Sequence, residues 1–507
     1  MILSRRPDGR ASAPVLELAG ALILVVLVLS LRPTGFGGGG VDDQRYFDAA
    51  SAWSGQGPGA ADSHWTLRWP FVAPLAGLFS VAGSSIPVAL LLPWVAALAI
   101  CAISFLAARR LFGRRVAWLW LGFFASLPLF NRLGTSLFPE MLELLFAASS
   151  LWCFFIGRDS ERPQPWFLAA GVTAALAILT RETSAWLILV FAVFLLWRPG
   201  AKRVSYLWIL CPALALLAGE LVWFQAVAGD PLHRIRLDLG HIKVPSTQMA
   251  GGMSAESSAV LNPAVGASWR PQGLFDLHWA LNPWLNLLAD PKFGLLPLAT
   301  PVLAWFAWRD GNDLAPEERK VLLALALIAL SAFGFVTYVL MLSQDQRYYL
   351  PVLFACAMAA ALLADRALGT SRKWAAGIVT AATIATSLFL VLHLNRYDDH
   401  ARLALPILRE LRQPVHVPAD ALAKLNQPLL DARLSGRVAS APAPPGALAM
   451  SFDIGLRCTD PLPAGTIFCT ETQPTPLIRA GRWAAPGWRM PFAFGQSIER
   501  MVLARSP

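Results

Sequence analysis

Long apolar runs recur between residues 14 and 394, each followed by a short polar stretch rich in Arg, Gly or Pro. A helix needs about 20 apolar residues to cross the hydrocarbon layer of a bilayer, so the runs predict about eleven crossings. They fall at Pro14–Leu31, Ser85–Ala107, Val116–Phe130, Glu140–Gly157, Trp166–Leu179, Thr183–Trp197, Val204–Ala228, Pro283–Trp308, Val321–Leu342, Pro351–Ala364 and Trp374–Leu394. Some are short for a full crossing, which calls for little tilt or a thinned membrane. The first run is longer than the core of a cleaved signal peptide and reads as a retained helix. The pattern changes at residue 395, where a polar tail begins that Ala441–Pro445 interrupts. In that tail a helix is expected over Asp398–Leu411, followed by short strands and turns.

Charge orients the runs. Arg5, Arg6 and Arg10 precede the first, which places the N-terminus in the cytoplasm. Alternation then puts Arg109–Arg115, Arg158–Gln164, Arg198–Arg203, Arg309–Lys320 and Asp365–Lys373 on the cytoplasmic side, and each is rich in Arg or Lys. The organisation expected is a cytoplasmic tail over 1–13, a transmembrane domain over 14–394, and an extracytoplasmic region over 395–507. Within the transmembrane domain lie a first outer loop over 32–84 and a large one over 229–282.

Composition agrees: 56% of the 507 residues are hydrophobic and 15% are charged, against about 25% charged in soluble domains. The net charge of +10 raises nucleic acid as a partner. The arginines, however, sit in clusters between apolar runs and form no continuous basic face, so nucleic-acid binding is set aside.

On the predicted topology the unusual polar residues gather on the outer side. Asp42 and Asp43, beside Arg45 and Tyr46, follow the first run; Glu140, with Glu143 a turn deeper, opens the fourth. Arg181 and Glu182 occupy the tight turn between the fifth and sixth, Asp290 and Lys292 mark the eighth, and Asp345, Arg347 and Tyr348 precede the tenth. Taken singly, Asp42 or Asp43 serves as a helix N-cap, Glu140 as a favourable charge at a helix start, Arg181 and Glu182 as a wet turn, Arg347 and Tyr348 as an interfacial anchor, and Asp290 and Lys292 as a local ion pair. Those separate explanations do not account for all five groups sharing one side. Ionisable groups at membrane depth are costly and mark function by default. Acids with arginines suit a reaction that expels a phosphate: a carboxylate takes a proton and cations hold the departing charge.

Other signals are weaker. His233, Asp238 and His241 have no familiar metal spacing, His64 and His278 stand alone, and no CxxC or HExxH occurs. The run Gly37–Gly40 lacks the preceding strand and following Gly-Lys-Ser/Thr of a nucleotide cradle. Cys101, Cys153, Cys211 and Cys356 lie inside apolar runs. Cys458 and Cys469 lie in the outer tail, where a disulfide is expected, worth about 3 kcal/mol for a loop of that size.

The ordered set of motifs resembles the GT-C superfamily of polytopic glycosyltransferases, in the branch of glycosyltransferase family 39 that includes protein O-mannosyltransferases and the lipid A aminoarabinose transferase. The residues that carry the resemblance are Asp42-Asp43-Gln44-Arg45-Tyr46, Arg68-Trp69-Pro70, the stretch Ala107–Arg115, Leu137–Met141 with its acid, Thr180-Arg181-Glu182, and Arg347-Tyr348-Tyr349-Leu350-Pro351. They span nearly all of residues 1–394. Two departures stand out: Asp43 occupies a position where Glu is commoner, and Glu182 replaces the usual Pro. The tail resembles nothing in the family.

The resemblance implies an all-α polytopic membrane protein of the GT-C type; the polar tail, read from its own pattern, adds a small C-terminal extracytoplasmic domain, α/β or irregular. It also implies inverting transfer of a sugar from a polyprenyl-phosphate donor to an acceptor lipid, glycan or protein at the outer face of a bacterial inner membrane. Asp42 or Asp43 is the expected base, Arg45, Arg181 and Arg347 the donor-phosphate ligands, and Tyr46, Glu140, Glu182 and Tyr348 the substrate-positioning residues. A divalent ion stays open as a cofactor. A transporter or lipid flippase is the alternative, although no internal repeat of the kind transporters show is visible.

Overall fold

A computed structural model describes residues 13–36, 41–57, 63–197, 202–242, 280–309, 316–340, 346–393, 400–440, 442–454, 458–459, 461–471 and 499–506. The glycine run, His278 and Asp345 lie outside them. Eighteen described α-helices are numbered in chain order. They are α1 (Ala13–Leu31), α2 (Val41–Gln56), α3 (Trp69–Ala82), α4 (Ile86–Phe112), α5 (Arg114–Ala125), α6 (Pro128–Gly134), α7 (Glu140–Asp159), α8 (Gln164–Thr180) and α9 (Trp186–Trp197). There follow α10 (Leu207–Ala228), α11 (His233–Ile242), α12 (Asn282–Ala289), α13 (Leu296–Arg309), α14 (Pro316–Gly334), α15 (Leu350–Ala367), α16 (Lys373–His393), α17 (His400–Glu410) and α18 (Ala419–Asp431).

The protein is a mostly helical, multi-span membrane protein. Six stretches are each helical, long and apolar enough to cross: Ile86–Phe112, Glu140–Asp159, Arg203–Ala228, Glu318–Val339, Gln346–Ala367 and Lys373–His393. A seventh counts if the pair α5 and α6, bent by 74°, is one span. The expected first, fifth and sixth crossings are present as shorter apolar helices, Val15–Leu31, Gln164–Thr180 and Glu182–Trp197. The eighth, Pro283–Trp308, is not one helix. It breaks into α12, a 3-10 turn at Pro291–Phe293 and α13, because Asp290 caps the backbone N–H of Lys292 and Gly294 takes a φ of +60° that few other residues adopt. The outer loop 32–84 holds α2 and α3, with Asp42 and Asp43 in the first turn of α2.

Small residues let the helices approach. A Cβ on Gly171 of α8 would fall 2.2 Å from the backbone oxygen of Ile209, close to the start of α10. One on Gly157 of α7 would fall 2.7 Å from Phe167 of α8. Proline and aromatic packing shape the bend that leads to the candidate site. Pro128 opens α6, and Phe124 packs on Phe130 and Phe354 with ring centroids 4.9 and 5.4 Å apart. From α6, Asn131 donates to the Val28 carbonyl of α1 at 2.8 Å. The Thr135 hydroxyl accepts from the backbone of Thr34 at 2.8 Å, fixing the chain between α1 and α2.

The C-terminal region is a five-stranded sheet in the order β2-β1-β3-β5-β4, from Val438–Ser440, Val415–Val417, Leu448–Ile454, Glu499–Arg505 and Thr466–Glu471. β1 pairs in parallel with β2 and β3, and β5 in antiparallel with β3 and β4. Leu408 of α17 and Leu425 of α18 pack on Val415, Val417 and Met501. Cys458 and Cys469 are disulfide-bonded. This unit reaches the outer helices through polar contacts. The backbone N–H of Gln427 in α18 donates to Gln44 of α2 at 3.2 Å. Asp431 accepts from the Gln427 side chain at 2.6 Å and from the backbone of Ile86, at the start of α4, at 2.8 Å.

Candidate functional site

Four helix ends meet at one place. The first turn of α2 supplies Asp42, the first turn of α7 Glu140 and Glu143, the end of α8 Arg181, and the 3-10 turn Gln346–Tyr349 before α15 supplies Arg347 and Tyr348. Each is an end for a local reason. Pro139 precedes α7, which makes Glu140 and Glu143 first-turn acids. Arg181 adopts an extended backbone, φ −154° and ψ 136°, that stops α8.

Arg347 links the two acids: its Nη1 donates to Asp42 Oδ2 at 3.1 Å and its Nε lies 3.3 Å from Glu140 Oε1. Arg181 also donates to Glu140 Oε1, and to the Tyr348 hydroxyl at 2.8 Å. Glu140 Oε2 is buried and has no hydrogen-bond partner among the described residues. Below this layer Glu143 accepts from Thr183 at 2.5 Å and Ser184 at 2.7 Å.

The two adjacent acids differ in access. Asp43 is fully buried, whereas the Asp42 side chain keeps 25% of its surface. The Trp65 indole N–H donates to Asp42 Oδ1 at 2.9 Å. Burial works against the charge on Asp42, but the Arg347 guanidinium, the Trp65 N–H and Arg68 together outweigh it and hold the carboxyl below its ordinary value.

The expected phosphate ligands divide. Arg181 and Arg347 join the cluster. Arg45 does not, because the helical turn of α2 faces Asp43, Tyr46 and Phe47 inward and Arg45 outward, where it stacks on the Trp65 ring at 3.7 Å. The guanidinium that does face inward is Arg68, buried and donating to the hydroxyl of the fully buried Tyr46. Burial and the neighbouring Arg181 push Arg68 down to about 10, so it stays cationic at neutral pH beside another cation. Glu182 interacts with Arg68, and its ion pair is with a cation outside the cluster. It pairs with Arg234 of α11, which also donates to Glu220 at 2.9 Å and to the Leu179 carbonyl at 3.0 Å. Lys292 donates to Gln346 at 2.9 Å, adjoining Arg347 in the chain.

Trp65, Arg68, Glu220 and Arg234 were not among the expected site residues. Arg68 lies in the Arg68-Trp69-Pro70 motif, and Glu220 is an acid inside an apolar run, a signal for a paired or functional group. Trp65 carries no such signal. Among the described residues no three of His, Cys, Asp and Glu stand close enough to hold a metal ion; the groups that meet Asp42 are guanidinium and indole donors.

Residues 70–223, from α3 to α10, match the family model described as dolichyl-phosphate-mannose-protein mannosyltransferase. The resemblance to GT-C glycosyltransferases holds over that segment, which includes Glu140, Arg181 and Glu182. No curated protein matches the chain. Among solved structures it is similar to an oligosaccharyltransferase of Archaeoglobus fulgidus in complex with Zn and sulfate, at 13% identity and a TM-score of 0.49, covering 82% of this chain and 62% of that one. It is also similar to ArnT of Cupriavidus metallidurans bound to undecaprenyl phosphate, at 15% identity and a TM-score of 0.48, covering 97% and 98%. The chain thus spans about 62% of the length of the archaeal enzyme.

Proposed function

We propose that the chain is an integral membrane glycosyltransferase that moves a sugar, with inversion, from a polyprenyl-phosphate donor to an acceptor hydroxyl at the outer face of the cytoplasmic membrane. The observation that carries this reading is the part-exposed Asp42 carboxylate, tied through Arg347 to Glu140 and Arg181, with Arg68 buried nearby. The Arg- and Lys-rich stretches at the opposite helix ends support a cytoplasmic N-terminus, which puts this cluster outside. A lipid-linked donor suits that location, since nucleotide sugars are not available there.

In the proposed reaction the acceptor oxygen attacks the anomeric carbon as the bond from that carbon to the phosphate oxygen breaks. The acceptor proton passes to Asp42, and the electron pair leaves with the polyprenyl phosphate. Arg347, Arg181 and Arg68 hold the leaving charge, because a guanidinium matches phosphate oxygens as a fork. Buried Glu140 Oε2 accepts a hydrogen bond from a sugar or acceptor hydroxyl.

The resting ion pair gives the order of events a physical basis. While Arg347 holds Asp42, that carboxylate is a weak base. A donor phosphate competes for Arg347, and a released Asp42 becomes more basic as the donor arrives. Binding of the donor thereby prepares the base.

The test is transfer of radiolabel from polyprenyl-phosphate sugars by purified protein, comparing wild type with Asp42→Asn. Label reaching an acceptor or water in the wild type, and lost in the folded variant, supports the reading. Absence of transfer from every donor, together with a variant that behaves as wild type in cells, turns the reading toward transport.

A further inference from the structure

The end of α7 opposite Glu140 borders a cavity of about 120 Å³. Glu140 and Arg158 are 18 positions apart in that helix, which separates the cavity mouth from the acid cluster by about 27 Å along the axis. The cavity therefore lies apart from the site above.

Its walls are hydrocarbon. Leu151 and Phe155 of α7, Phe194 of α9, Ala324 and Ile328 of α14, and Met358 of α15 face it. Its rim is charged: Arg158 and Asp159 close α7, and Lys320 stands in the first part of α14. Arg158 lies over the Phe194 ring at 4.6 Å and the Phe154 ring at 5.7 Å, so its cation is held at the edge of the apolar wall. Lys320 is exposed. An apolar slot between spanning helices, with two cations and one acid at its rim, matches a molecule with a hydrocarbon tail and an anionic head.

We propose that this cavity is a binding site for an anionic phospholipid, with an acyl chain against Phe155, Ala324 and Ile328 and the headgroup phosphate at Arg158 and Lys320. The site is separate from the donor site and requires no sugar chemistry. A zwitterionic lipid offers the same tail, but its own cation offsets the attraction of the rim, so the headgroup sets the preference.

Native mass spectrometry of the full chain in detergent tests this, with phosphatidylglycerol and phosphatidylcholine of identical acyl chains as probes. The wild type is expected to bind phosphatidylglycerol about tenfold more tightly, a difference of about 1.4 kcal/mol, and K320E, which turns a rim cation into an acid, to remove or reverse that preference. Ala324→Phe, which fills the slot, is expected to weaken both lipids. K320E changes an exposed residue, so it keeps the proposal testable if Ala324→Phe fails to fold. Equal binding of the two lipids, or unchanged binding in K320E, overturns the proposal. So does displacement of phosphatidylglycerol by an equal concentration of polyprenyl phosphate, which would assign the cavity to the donor's lipid instead.

Discussion

Arg347 and Asp42 stand 305 positions apart in the chain and form an ion pair at 3.1 Å. Asp42 is part-exposed and Asp43 is buried. Asp42→Asn is therefore expected to lower the transfer rate by about 10²–10⁴ with the fold intact, the loss typical of a missing general base. Asp43→Asn is expected to act on stability instead. Single-turnover assays beside thermal unfolding of both variants separate the two; a fully active Asp42→Asn moves the role elsewhere.

The pH dependence follows from the same pair. Asp42 has a folded value below its ordinary one. Its ionised form contributes stability that is fully present above the ordinary carboxylate value of about 3.9 and is lost as pH falls through the depressed folded value. In the wild type no acid limb from Asp42 is expected above about pH 4. In Arg347→Met the carboxylate loses the cation that chiefly opposes its burial, so the limb of kcat/KM moves to higher pH. An unchanged profile in that variant contradicts the assignment.

Arg234 is buried and answers two acids, Glu182 and Glu220. Arg234→Met leaves Glu220 buried without its cation and is expected to cost about 3–5 kcal/mol. The double variant with Glu220→Gln should recover part of that loss. Thermal unfolding in one detergent measures both.

Gly171 permits α8 to lie against the Ile209 backbone. Gly171→Ala sets a methyl 2.2 Å from a carbonyl oxygen that has no flexible end to move. About 1–3 kcal/mol of destabilisation is expected, with separation of α8 from α10. A midpoint of unfolding equal to wild type argues against this packing.

Removal of the Cys458–Cys469 bond by serine substitution is expected to lower the stability of the C-terminal sheet by about 2–4 kcal/mol and to leave the helical domain unchanged. Hydrogen exchange, which reports the two regions separately, reads this directly.

The helices were legible because bilayer-length apolar runs have few other uses, and the ends carrying acids and arginines were legible because charges there are rare. The Pro283–Trp308 run shows where that reasoning stops. Its apolar length argued for one helix, while the local chemistry of Asp290, Pro291 and Gly294 ended it. Arg45 and Arg68 show the second limit. Both are arginines near Tyr46, and only the turn of α2 and the path of the following loop decide which one faces Arg181. Arg234 was hidden for a different reason: its pairing with Glu182 joins residues 52 positions apart, and no short motif records it.

The fastening of α2 also has a meaning in time. Arg347 follows Asp42 by 305 residues and Gln427 follows Gln44 by 383. At about 5–20 residues per second, the carboxylate stands ~15–60 s before its cation leaves the ribosome. Its helix gains the contact with Gln427 only after a further 80 positions, since Gln427 follows Gln44 by 383 and Arg347 follows Asp42 by 305. A nascent or truncated chain can thus hold every apolar run up to α14 in the bilayer and still lack the Asp42–Arg347 pair.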